Sequence, residues 1–461
     1  MRGLILSSRV VGDELRALFG DIHPSNLPVG GTNLNQLQYE YLKEFCDEVY
    51  TLVSENTGSC KNEILVDRLS LVELLKYSLT LFPNEFVLIL FGDTLFQGEV
   101  PKNASFVTMN KVDYFYNWLR LQDDCAFSGM LCVDSRKYHE YAEVESLEDF
   151  IFKTAKTKTD FIDSLNWLDF GSYASYFKNK RILFQIRAHN EMRINGGNLI
   201  KSSRDVFQLY SQFKWLKDFR NNDLVAVPSV SDFEVKRDYA CYSIEYKSLP
   251  TLSEIFVFSK GNQLIVLKSF EIIGKILKDW RNETVKTNEN FPLLKFQSRK
   301  ADIENILKNH EVSNSETQRI LKQVLRICKE WPLEMCFGHG DLCFSNILID
   351  NRLEFIYLID PRGYFGIERS NLVPVNYDAF KIAHSYLGHY DQIIFNTFNR
   401  DSFALEFENN LSFLAIKLQL TKKEVVEGIM YLFVTLLPFH TDRRDRIVNF
   451  IHVIKFCKEW L

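Results

Sequence analysis

The sequence lacks the features that mark membrane-embedded, secreted and zinc-binding proteins. It contains no run of about 18 apolar residues, the length that a membrane-spanning helix requires. Its opening segment, MRGLILSSRVVGDELR, acquires charged residues too early for the hydrophobic region of a secretory signal. The nine cysteines form no Cys-x-x-Cys pair and no Cys/His cluster at zinc-ligand spacing. We therefore expect a cytoplasmic protein with reduced thiols and no membrane insertion.

A basic surface is also missing. The formal net charge is −5, whereas binding to nucleic acid through the surface as a whole requires an excess of positive charge. Apolar residues make up 46% and charged residues 25% of the chain, the usual balance of a globular protein. With 461 residues, the chain is longer than one hydrophobic core usually organises. We therefore expect two or three globular domains that do not bind nucleic acid.

The pattern of apolar residues changes along the chain. The first part alternates short apolar runs with helical patterns, which indicates a parallel α/β sheet with crossover helices. These segments are 3–8, 34–45, 48–54, 71–82 and 86–93. From about residue 182 paired strands follow, joined by the turn signal Asn195-Gly196-Gly197, and long helical patterns dominate beyond residue 260. The sequence contains no repeat or low-complexity linker, so the predicted boundary near residue 180 depends on pattern alone.

The segment HGDLCFSNILID, residues 339–350, combines acidic and amide side chains with an apolar run. Together with EFIYLID it flanks the turn signal Asp350-Asn351-Arg352, which predicts an antiparallel hairpin. The open end of the hairpin would hold Asn346 and Asp360, beside the loop that carries Asp341. Such oxygen ligands suit Mg²⁺, and phosphoryl transfer also needs a residue that deprotonates the attacking hydroxyl. The alternative is an exposed hairpin with acidic turns.

HGDLCFSNILID followed by LIDPRG resembles the catalytic and metal-binding segments of the aminoglycoside phosphotransferase and choline kinase group, which shares the protein-kinase-like fold. The resemblance implies that Asp341 is the catalytic base, that Asn346 and Asp360 bind Mg²⁺, and that His339 and Gly340 shape the loop. It implies an α+β kinase domain over residues 181–461. The smaller lobe would cover about 181–256 and the larger lobe about 257–461.

The same resemblance implies an ATP site in the smaller lobe. Lys201, in GGNLIKSS, would be the lysine that clamps ATP. The hairpin NEMRINGG, with Asn195 and Gly196, would cover the phosphates, although it has no G-x-G-x-x-G pattern. The backbone near Glu245 and Tyr246 would face adenine, with a plain buried strand as an equal alternative.

The resemblance also implies a glutamate on the next helix to pair with the clamping lysine, and the sequence departs from it there. The segment 203–219 contains no glutamate. Gln208, Gln212 or Asp205 would have to take its place, and a neutral glutamine holds an ammonium group less firmly than a carboxylate does.

Beyond the hairpin, a loop and a helix bring further polar residues near the expected site. Arg362 either binds an anionic substrate or caps the loop, and Asp378 is a second candidate for substrate contact. Lys381, His384 and His389 belong to the same loop-and-helix region near the expected site. The aromatic-rich segment 428–439 packs either in the core or across an interface, which leaves homo-oligomerisation open.

Residues 1–180 resemble the sugar-phosphate nucleotidylyltransferases in the segments LPVGG, VLILFGDTLF and WLDFGSYASYF. The resemblance implies a Rossmann-like α/β domain in which Asp93 and Asp169 hold a Mg²⁺ that bridges the nucleotide and the sugar phosphate. The glycine-rich loop instead reads SSRVVGDELR, and Ser25 stands where the family has a lysine after proline. The domain either binds a second NTP with Arg9 and Arg16 compensating, or has lost turnover.

The two resemblances together imply an enzyme, an ATP- and Mg²⁺-dependent kinase for a hydroxyl of a sugar, polyol or amino-alcohol. A coupled nucleotidylyltransferase would convert the phosphorylated product into an activated donor for capsular or lipopolysaccharide synthesis. One alternative keeps the kinase but makes the first domain an inactive scaffold. A second alternative is a non-catalytic nucleotide-binding protein.

Overall fold

The computed structural model describes residues 1–461 except 30, 56–59, 68, 113–117, 123, 164–165, 184–189, 196, 262, 351–353 and 366–370. The chain divides into two compact units. Unit 1 is Met1–Gln185 with Phe258–Gly261, and unit 2 is Ile186–Val257 with Asn262–Leu461. The sequence pattern placed its boundary near residue 180.

Unit 1 contains strands and helices in alternation. The described strands are β1 Arg2–Leu6, β2 Pro28–Val29, β3 Thr32–Asn33, β4 Glu48–Val53, β5 Glu63–Leu65, β6 Phe86–Phe91, β7 Thr94–Phe96, β8 Phe106–Lys111, β9 Arg120–Gln122, β10 Cys125–Asp134, β11 Phe161–Asp163 and β12 Trp167–Asp169. The described helices are α1 Asp13–Phe19, α2 Leu34–Lys43, α3 Leu71–Leu81, α4 Leu147–Thr154 and α5 Tyr173–Ile182.

The main sheet of unit 1 has the strand order β11-β8-β10-β6-β1-β4-β5. β1 runs parallel to both β4 and β6, as the alternating pattern predicts. Both faces of the sheet are covered, since Val87 and Ile89 of β6 lie in one apolar cluster and Leu88 and Leu90 in another. β10, which lies beyond the segments that predicted the parallel strands, is antiparallel to β6 and β8. A strand buried on both faces reads as a continuous apolar run in either direction.

Unit 2 begins with strands and continues mainly in helices. Its described strands are β13 Asn190–Asn195, β14 Asn198–Ser203, β15 Val225–Ala226, β16 Val230–Val235, β17 Ala240–Glu245, β18 Thr284–Lys286, β19 Glu334–Phe337, β20 Ile347–Ile349, β21 Ile356–Leu358 and β22 Leu372–Pro374. Its described helices are α6 Val206–Asp218, α7 Leu252–Phe258, α8 Gln263–Arg281, α9 Phe291–Asn309, α10 Asn314–Glu330, α11 Tyr377–Tyr386, α12 Tyr390–Ile394, α13 Arg400–Leu418, α14 Lys422–Leu436 and α15 Arg444–Trp460.

The strands of unit 2 form an antiparallel sheet in the order β13-β14-β17-β16 and several small sheets among the helices. The predicted hairpin is one of these, with Ile347 of β20 opposite Leu358 of β21. The first strand of the unit, which the sequence placed from about residue 182, is described only from Asn190. The architecture therefore agrees with an α/β unit followed by an α+β unit.

Helix α14 forms the centre of the helical core of unit 2. Every residue from Val425 to Thr435 is buried, and the core alternative for this aromatic-rich segment is thus the one observed over that stretch. Among the described residues, no helix is both long enough and apolar enough to cross a membrane.

Helices α11 and α14 approach each other at a glycine. A side chain at Gly428 would overlap the ring of Phe380 on α11. We expect Gly428→Ala to destabilise unit 2, because overpacking costs about 1–3 kcal/mol and exceeds the ~0.5–1 kcal/mol that alanine contributes inside a helix. Chemical denaturation would measure the change, and Phe380→Leu in the same chain should recover part of it. A neutral or stabilising Gly428→Ala would contradict this close packing.

Candidate active site

The open end of the β20–β21 hairpin brings together the residues that the sequence predicted there. The backbone amide of Ile359 donates to the carbonyl of Asn346 at 3.0 Å. Asp360, the next residue in the chain after Ile359, therefore lies beside Asn346. The side-chain amide nitrogen of Asn346 donates to the Asp341 carbonyl at 2.8 Å and to its carboxylate at 3.3 Å. Asp341, Asn346 and Asp360 thus lie close together, as the predicted hairpin requires.

The Asp341 carboxylate forms an ion pair with a lysine from helix α11. Lys381 Nζ lies 2.7 Å from Asp341 Oδ1. Burial acts to raise the pKa of Asp341, but the charge and hydrogen bond of Lys381 outweigh it and hold that pKa below its usual range. Asp341 is therefore ionised at neutral pH. The sequence placed Lys381 near the site without indicating this pairing.

Asp378 holds the loop in place. Its carboxylate is buried and accepts hydrogen bonds from the backbone amides of His339 at 2.7 Å and Gly340 at 3.0 Å. The amide of Leu342 lies 3.4 Å from the same carboxylate. Since its buried carboxylate accepts from the loop on both oxygens, Asp378 positions Asp341, and the substrate contact expected for Asp378 stays a prediction.

His339 connects the loop to the strand that leads to Asp360. One ring nitrogen lies 2.9 Å from the carbonyl of Ile359, and the other accepts from the amide of Asp341 at 3.3 Å. Burial lowers the pKa of His339, which favours the neutral ring that this arrangement requires. Gly340 has a φ of 79°, a conformation that glycine adopts without cost. Both residues shape the loop as expected.

Lys201 on β14 reaches the same end of the hairpin. Its Nζ lies 2.8 Å from Asp360 Oδ1, and its side chain is only 3% exposed. Asp360 itself has a φ of 54°, which an L-residue adopts at a cost and which recurs at functional sites. Lys201 and Asp360 are 159 residues apart in the chain, so this buried ion pair is a tertiary feature of unit 2.

The carboxylate that pairs with Lys201 does not come from helix α6. Asp205 caps that helix, since its side chain accepts from the amide of Gln208 at 2.9 Å. Gln212 is buried on α6, and its side-chain oxygen has no hydrogen-bond partner among the described residues. In this conformation Asp360 is the acid that the lysine contacts, and Gln212 is the remaining candidate for a neutral second partner.

The structure describes only some of the residues that were predicted to contact adenine and the phosphates. The amide of Glu245 donates to Ser229 at 2.9 Å and that of Tyr246 to Gly197 at 3.1 Å, so both amides are already engaged. An adenine contact there would fall to carbonyl groups and stays a prediction. Gly196 lies outside the described residues, and of Asn195 only the backbone, in β13, is described.

Arg362 lies beside the Asp341 loop and caps it through its backbone. Its amide donates to the carbonyl of His339 at 2.8 Å. Its guanidinium group lies over the ring of Phe365, with 4.6 Å between the guanidinium carbon and the ring centroid. The cap is therefore present, and the side chain is still available for an anionic ligand.

In unit 1, Asp93 and Asp169 lie close together, as the nucleotidylyltransferase resemblance implied. The strands β7 and β12 pair Thr94 with Asp169, and the amide of Phe170 donates to the Asp93 carbonyl at 2.8 Å. A Cβ at Gly171 would lie 2.8 Å from the Asp93 carboxylate and 3.2 Å from that of Asp169. Burial and then the charge of Asp169 raise the pKa of Asp93 to about 7. Two carboxylate donors without a cationic partner among the described residues fit a divalent ion such as Mg²⁺.

Ser25, at the position where the resemblance implied a lysine, has a structural role. Ser25 is fully buried, and its hydroxyl donates to Ser7 Oγ at 2.6 Å. Arg16, one of two arginines expected to compensate, forms an ion pair with Asp21. Arg9 is exposed. Neither Ser25 nor Arg16 therefore supplies the positive charge that the resemblance implied for this position.

Comparison with known proteins finds similarity at the level of folds. No family model matches the chain, and no curated protein matches it. A ternary complex of a thermostable mutant of aminoglycoside phosphotransferase APH(4)-Ia with AMP-PNP and hygromycin B shares 11% identity at a TM-score of 0.43, covering 60% of this chain and 92% of that one.

Nucleotidylyltransferases are also among the similar structures. The inositol-1-phosphate CTP transferase from T. maritima shares 15% identity at a TM-score of 0.29, covering 38% of this chain and 90% of that one. A UDP-glucose pyrophosphorylase complexed with UDP-glucose shares 13% identity at a TM-score of 0.31, covering 39% and 97%. The two groups of enzymes that the sequence resembles thus both occur among these structures, at 11–15% identity and TM-scores of 0.29–0.43.

The paired carboxylates of unit 1 generate a test of the metal assignment. Asp93→Asn removes one of two facing carboxylates without changing the side-chain size. Without divalent ions we expect the variant to unfold at least about 2 °C higher, since ~1 kcal/mol moves Tm by about 2–4 °C in a domain of this size. We also expect it to lose the stabilisation that Mg²⁺ gives the unaltered chain.

Differential scanning calorimetry with EDTA and with Mg²⁺ would measure both effects. Asp163→Asn, at an exposed end of β11, is the matched control and should respond to Mg²⁺ like the unaltered chain. Equal stabilisation of Asp93→Asn by Mg²⁺ would contradict the assignment.

Proposed function

We propose that unit 2 is a small-molecule kinase that uses ATP and Mg²⁺ to phosphorylate a hydroxyl group of a small polar metabolite. The observation that carries the proposal is the meeting of Asp341, Asn346 and Asp360 at one end of a hairpin, with Lys201 bonded to Asp360. Phosphoryl transfer needs a group that orients the attacking hydroxyl, oxygen ligands for the cation and positive charge at the phosphates. These four side chains supply all three.

Asp341 would accept the proton of the acceptor hydroxyl as its oxygen attacks the γ-phosphorus. The ion pair with Lys381 holds the carboxylate ionised, and the amide of Asn346 fixes its second oxygen. A carboxylate oxygen that accepts one hydrogen bond retains another lone pair. The hydroxyl can therefore bind without displacing either contact, and the loop held by Asp378 keeps the base in one orientation.

The residues present fit a Mg²⁺ ion. The carboxylate of Asp360 and the amide oxygen of Asn346 are hard oxygen donors of the kind that this ion prefers. When bound, Mg²⁺ would neutralise charge on the phosphates of ATP. Lys201, buried at Asp360, would contribute a second positive charge to the same phosphates.

The role of Asp341 can be tested with a single substitution. We expect Asp341→Asn to lower kcat for ADP formation by about 10²- to 10⁴-fold, the range that general base catalysis contributes, and to leave the ATP dissociation constant within about threefold. A coupled ADP assay over sugars, polyols, amino-alcohols, hydroxy acids and hydroxylated phosphate esters, with calorimetric measurement of ATP binding, would measure both.

Asp302→Asn, on the exposed side of α9, is the matched control and should behave like the unaltered chain. Near-normal turnover by Asp341→Asn would remove Asp341 from the proposed role. If no acceptor class yields ADP, a non-catalytic nucleotide-binding protein becomes the better hypothesis.

We also propose that unit 1 transfers a nucleotidyl group from an NTP to the phosphorylated product. The Asp93–Asp169 pair supports this proposal, whereas the commitment of Ser25 to Ser7 favours an inactive scaffold. A phosphomonoester made by the kinase is the kind of substrate that a nucleotidylyltransferase converts into an activated donor. Such a pair of reactions fits the synthesis of surface polysaccharide.

Pyrophosphate release separates the two hypotheses for unit 1. Incubating the phosphorylated product with each NTP should yield pyrophosphate if unit 1 is active. We expect Asp93→Ala to abolish that signal and to leave ADP formation unchanged, because the two carboxylate sites lie in separate units. The absence of pyrophosphate with every NTP would support the scaffold, and loss of both signals in the variant would indicate a folding defect instead.

A further inference from the structure

A group of positive side chains lies beside Asp341 in unit 2. Helix α9 contributes Lys295 and Arg299, which are four residues apart and therefore lie on one face of the helix. Helix α11 contributes Tyr377 and, one turn later, Lys381. Lys295 Nζ donates to the Tyr377 hydroxyl at 2.7 Å, so the two helix faces meet at this contact.

Arg362 joins the same group from the loop after the hairpin. Its guanidinium carbon lies 4.6 Å from the centroid of the Phe365 ring, and that ring packs edge-on against Tyr377 with 4.7 Å between centroids. Lys295 lies 5.1 Å from the centroid of Tyr377. The two positive side chains are thus placed on the two rings of one aromatic pair. We call Lys295, Arg299 and Arg362 the cationic cluster.

The cationic cluster lies next to the candidate base. A Cβ at Gly340, the residue before Asp341, would lie 2.9 Å from the Cβ of Arg362. Lys381, on the same face of α11 as Tyr377, pairs with Asp341 at 2.7 Å. Lys295 thus contacts Tyr377, which lies one turn before Lys381, and Arg362 lies beside Gly340, so both parts of the cluster border the loop of Asp341.

No carboxylate among the described residues forms an ion pair with the cluster. Within the part of the chain that the structure describes, none of its three members forms an ion pair. Lys295 donates to a phenol, Arg299 donates to the carbonyl of Thr435 at 2.8 Å, and Arg362 lies on rings. The chain as a whole has 60 acidic residues against 55 basic ones, so acidic side chains are not scarce.

This arrangement is unfavourable without a ligand. Like charges four residues apart on a helix repel one another. Lys295, Arg299 and Arg362 are half-buried, and withdrawing part of a charge from water without a partner costs free energy. Burial and then the charges of Lys381, Arg362 and Arg299 lower the pKa of Lys295 well below its ordinary value. A bound anion would relieve each of these costs.

On the basis of the kinase function proposed above, we infer that the acceptor carries an anionic group, a carboxylate or a phosphate monoester, which Lys295, Arg299 and Arg362 bind while its hydroxyl lies at Asp341. In the reaction, the hydroxyl proton passes to Asp341, the new oxygen–phosphorus bond forms at the γ-phosphoryl group, and the bond to the β-phosphate breaks to release ADP. Hydroxy acids and hydroxylated phosphate esters are the acceptor classes that this site fits. Neutral polyols and cationic amino-alcohols are not.

Small hydroxylated acceptors that differ in charge give the most direct test. The full chain with ATP and Mg²⁺ would be assayed for ADP with glycerate, glycerol 3-phosphate, glycerol, and ethanolamine. We expect kcat/KM for at least one anionic acceptor to exceed that for glycerol by about 100-fold or more, since each charge-assisted contact contributes about tenfold or more. The carboxylate and phosphate arms distinguish the two anionic classes.

Variants of the cluster separate acceptor binding from ATP binding. We expect Lys295→Met and Arg299→Gln each to raise KM for the anionic acceptor by about tenfold or more and to leave KM for ATP within about twofold. Lys300→Met, at an exposed position of α9, is the matched control and should change neither value. Lys295→Arg, which retains the charge, should recover part of the affinity.

Inorganic phosphate provides a readout without turnover. With ADP and Mg²⁺ saturating the nucleotide site, added phosphate should raise Tm for the unaltered chain and for Lys300→Met, but not for the Lys295→Met/Arg299→Gln double variant. Equal stabilisation of the double variant would overturn the inference. So would an increase in KM for ATP instead of acceptor, which would assign the cluster to the triphosphate.

Failure of this inference differs from failure of the kinase proposal. Efficient ADP formation with glycerol or ethanolamine, and not with either anionic acceptor, would contradict the inference of an anionic acceptor but would still support a kinase. The absence of ADP with every acceptor, together with phosphate stabilisation that does not depend on the cluster, would sink both.

Discussion

The hydrogen bonds from the loop amides to the Asp378 carboxylate are the interaction on which the candidate site of unit 2 depends. An ionised carboxylate accepts stronger hydrogen bonds from amides than a neutral group does, and here it holds His339 and Gly340 from 38 or more residues away. Gly338 permits this approach, since a Cβ there would lie 2.7 Å from the carboxylate. The orientation of the candidate base is therefore set by helix α11.

Helix α11 is in turn held by the helical core. It packs on α14 where Gly428 faces Phe380. Tyr431, also on α14, lies under Lys295, whose Nζ is 5.8 Å from the centroid of the Tyr431 ring. Trp215 of α6 donates to the carbonyl of Gly338 at 2.8 Å, which attaches a second helix to the loop. Core packing and the geometry of the site are thus not independent, because the same helix supplies Asp378, Tyr377 and Lys381.

The local parts of this arrangement could be predicted from the sequence, and the long-range parts could not. Two apolar runs around a turn signal define the hairpin, and a hairpin fixes the spacing of Asn346 and Asp360 by itself. The helical pattern of α11 is the same whether Asp378 faces the loop or the substrate, so its role needed the three-dimensional structure. The pairing of Lys201 with Asp360 could not be predicted for the same reason, because the resemblance implied that the partner of Lys201 lies on helix α6.

Unit 1 shows the same division. Alternating strands and helices predict the parallel core of the sheet, because the signal for each element lies within that element. The direction of β10 depends on its neighbours and is not encoded in its apolar run. Asp93 and Asp169 were predicted from the resemblance to a family's motifs. Nothing in the local sequence, however, indicates that the Ser25 hydroxyl donates a hydrogen bond to Ser7.

The two sites carry opposite unneutralised charge. In unit 1 two carboxylates face each other with no described lysine or arginine in ion-pair contact, and in unit 2 three cations share a site whose described carboxylate is already paired. A protein with nearly equal numbers of acids and bases could have neutralised both sites by ordinary substitutions. Unpaired charges withdrawn from water reduce the stability of the fold, and a ligand of opposite charge is the simplest partner that restores it. The sign of each excess agrees with the ligand proposed for it, a divalent cation for unit 1 and an anion for unit 2.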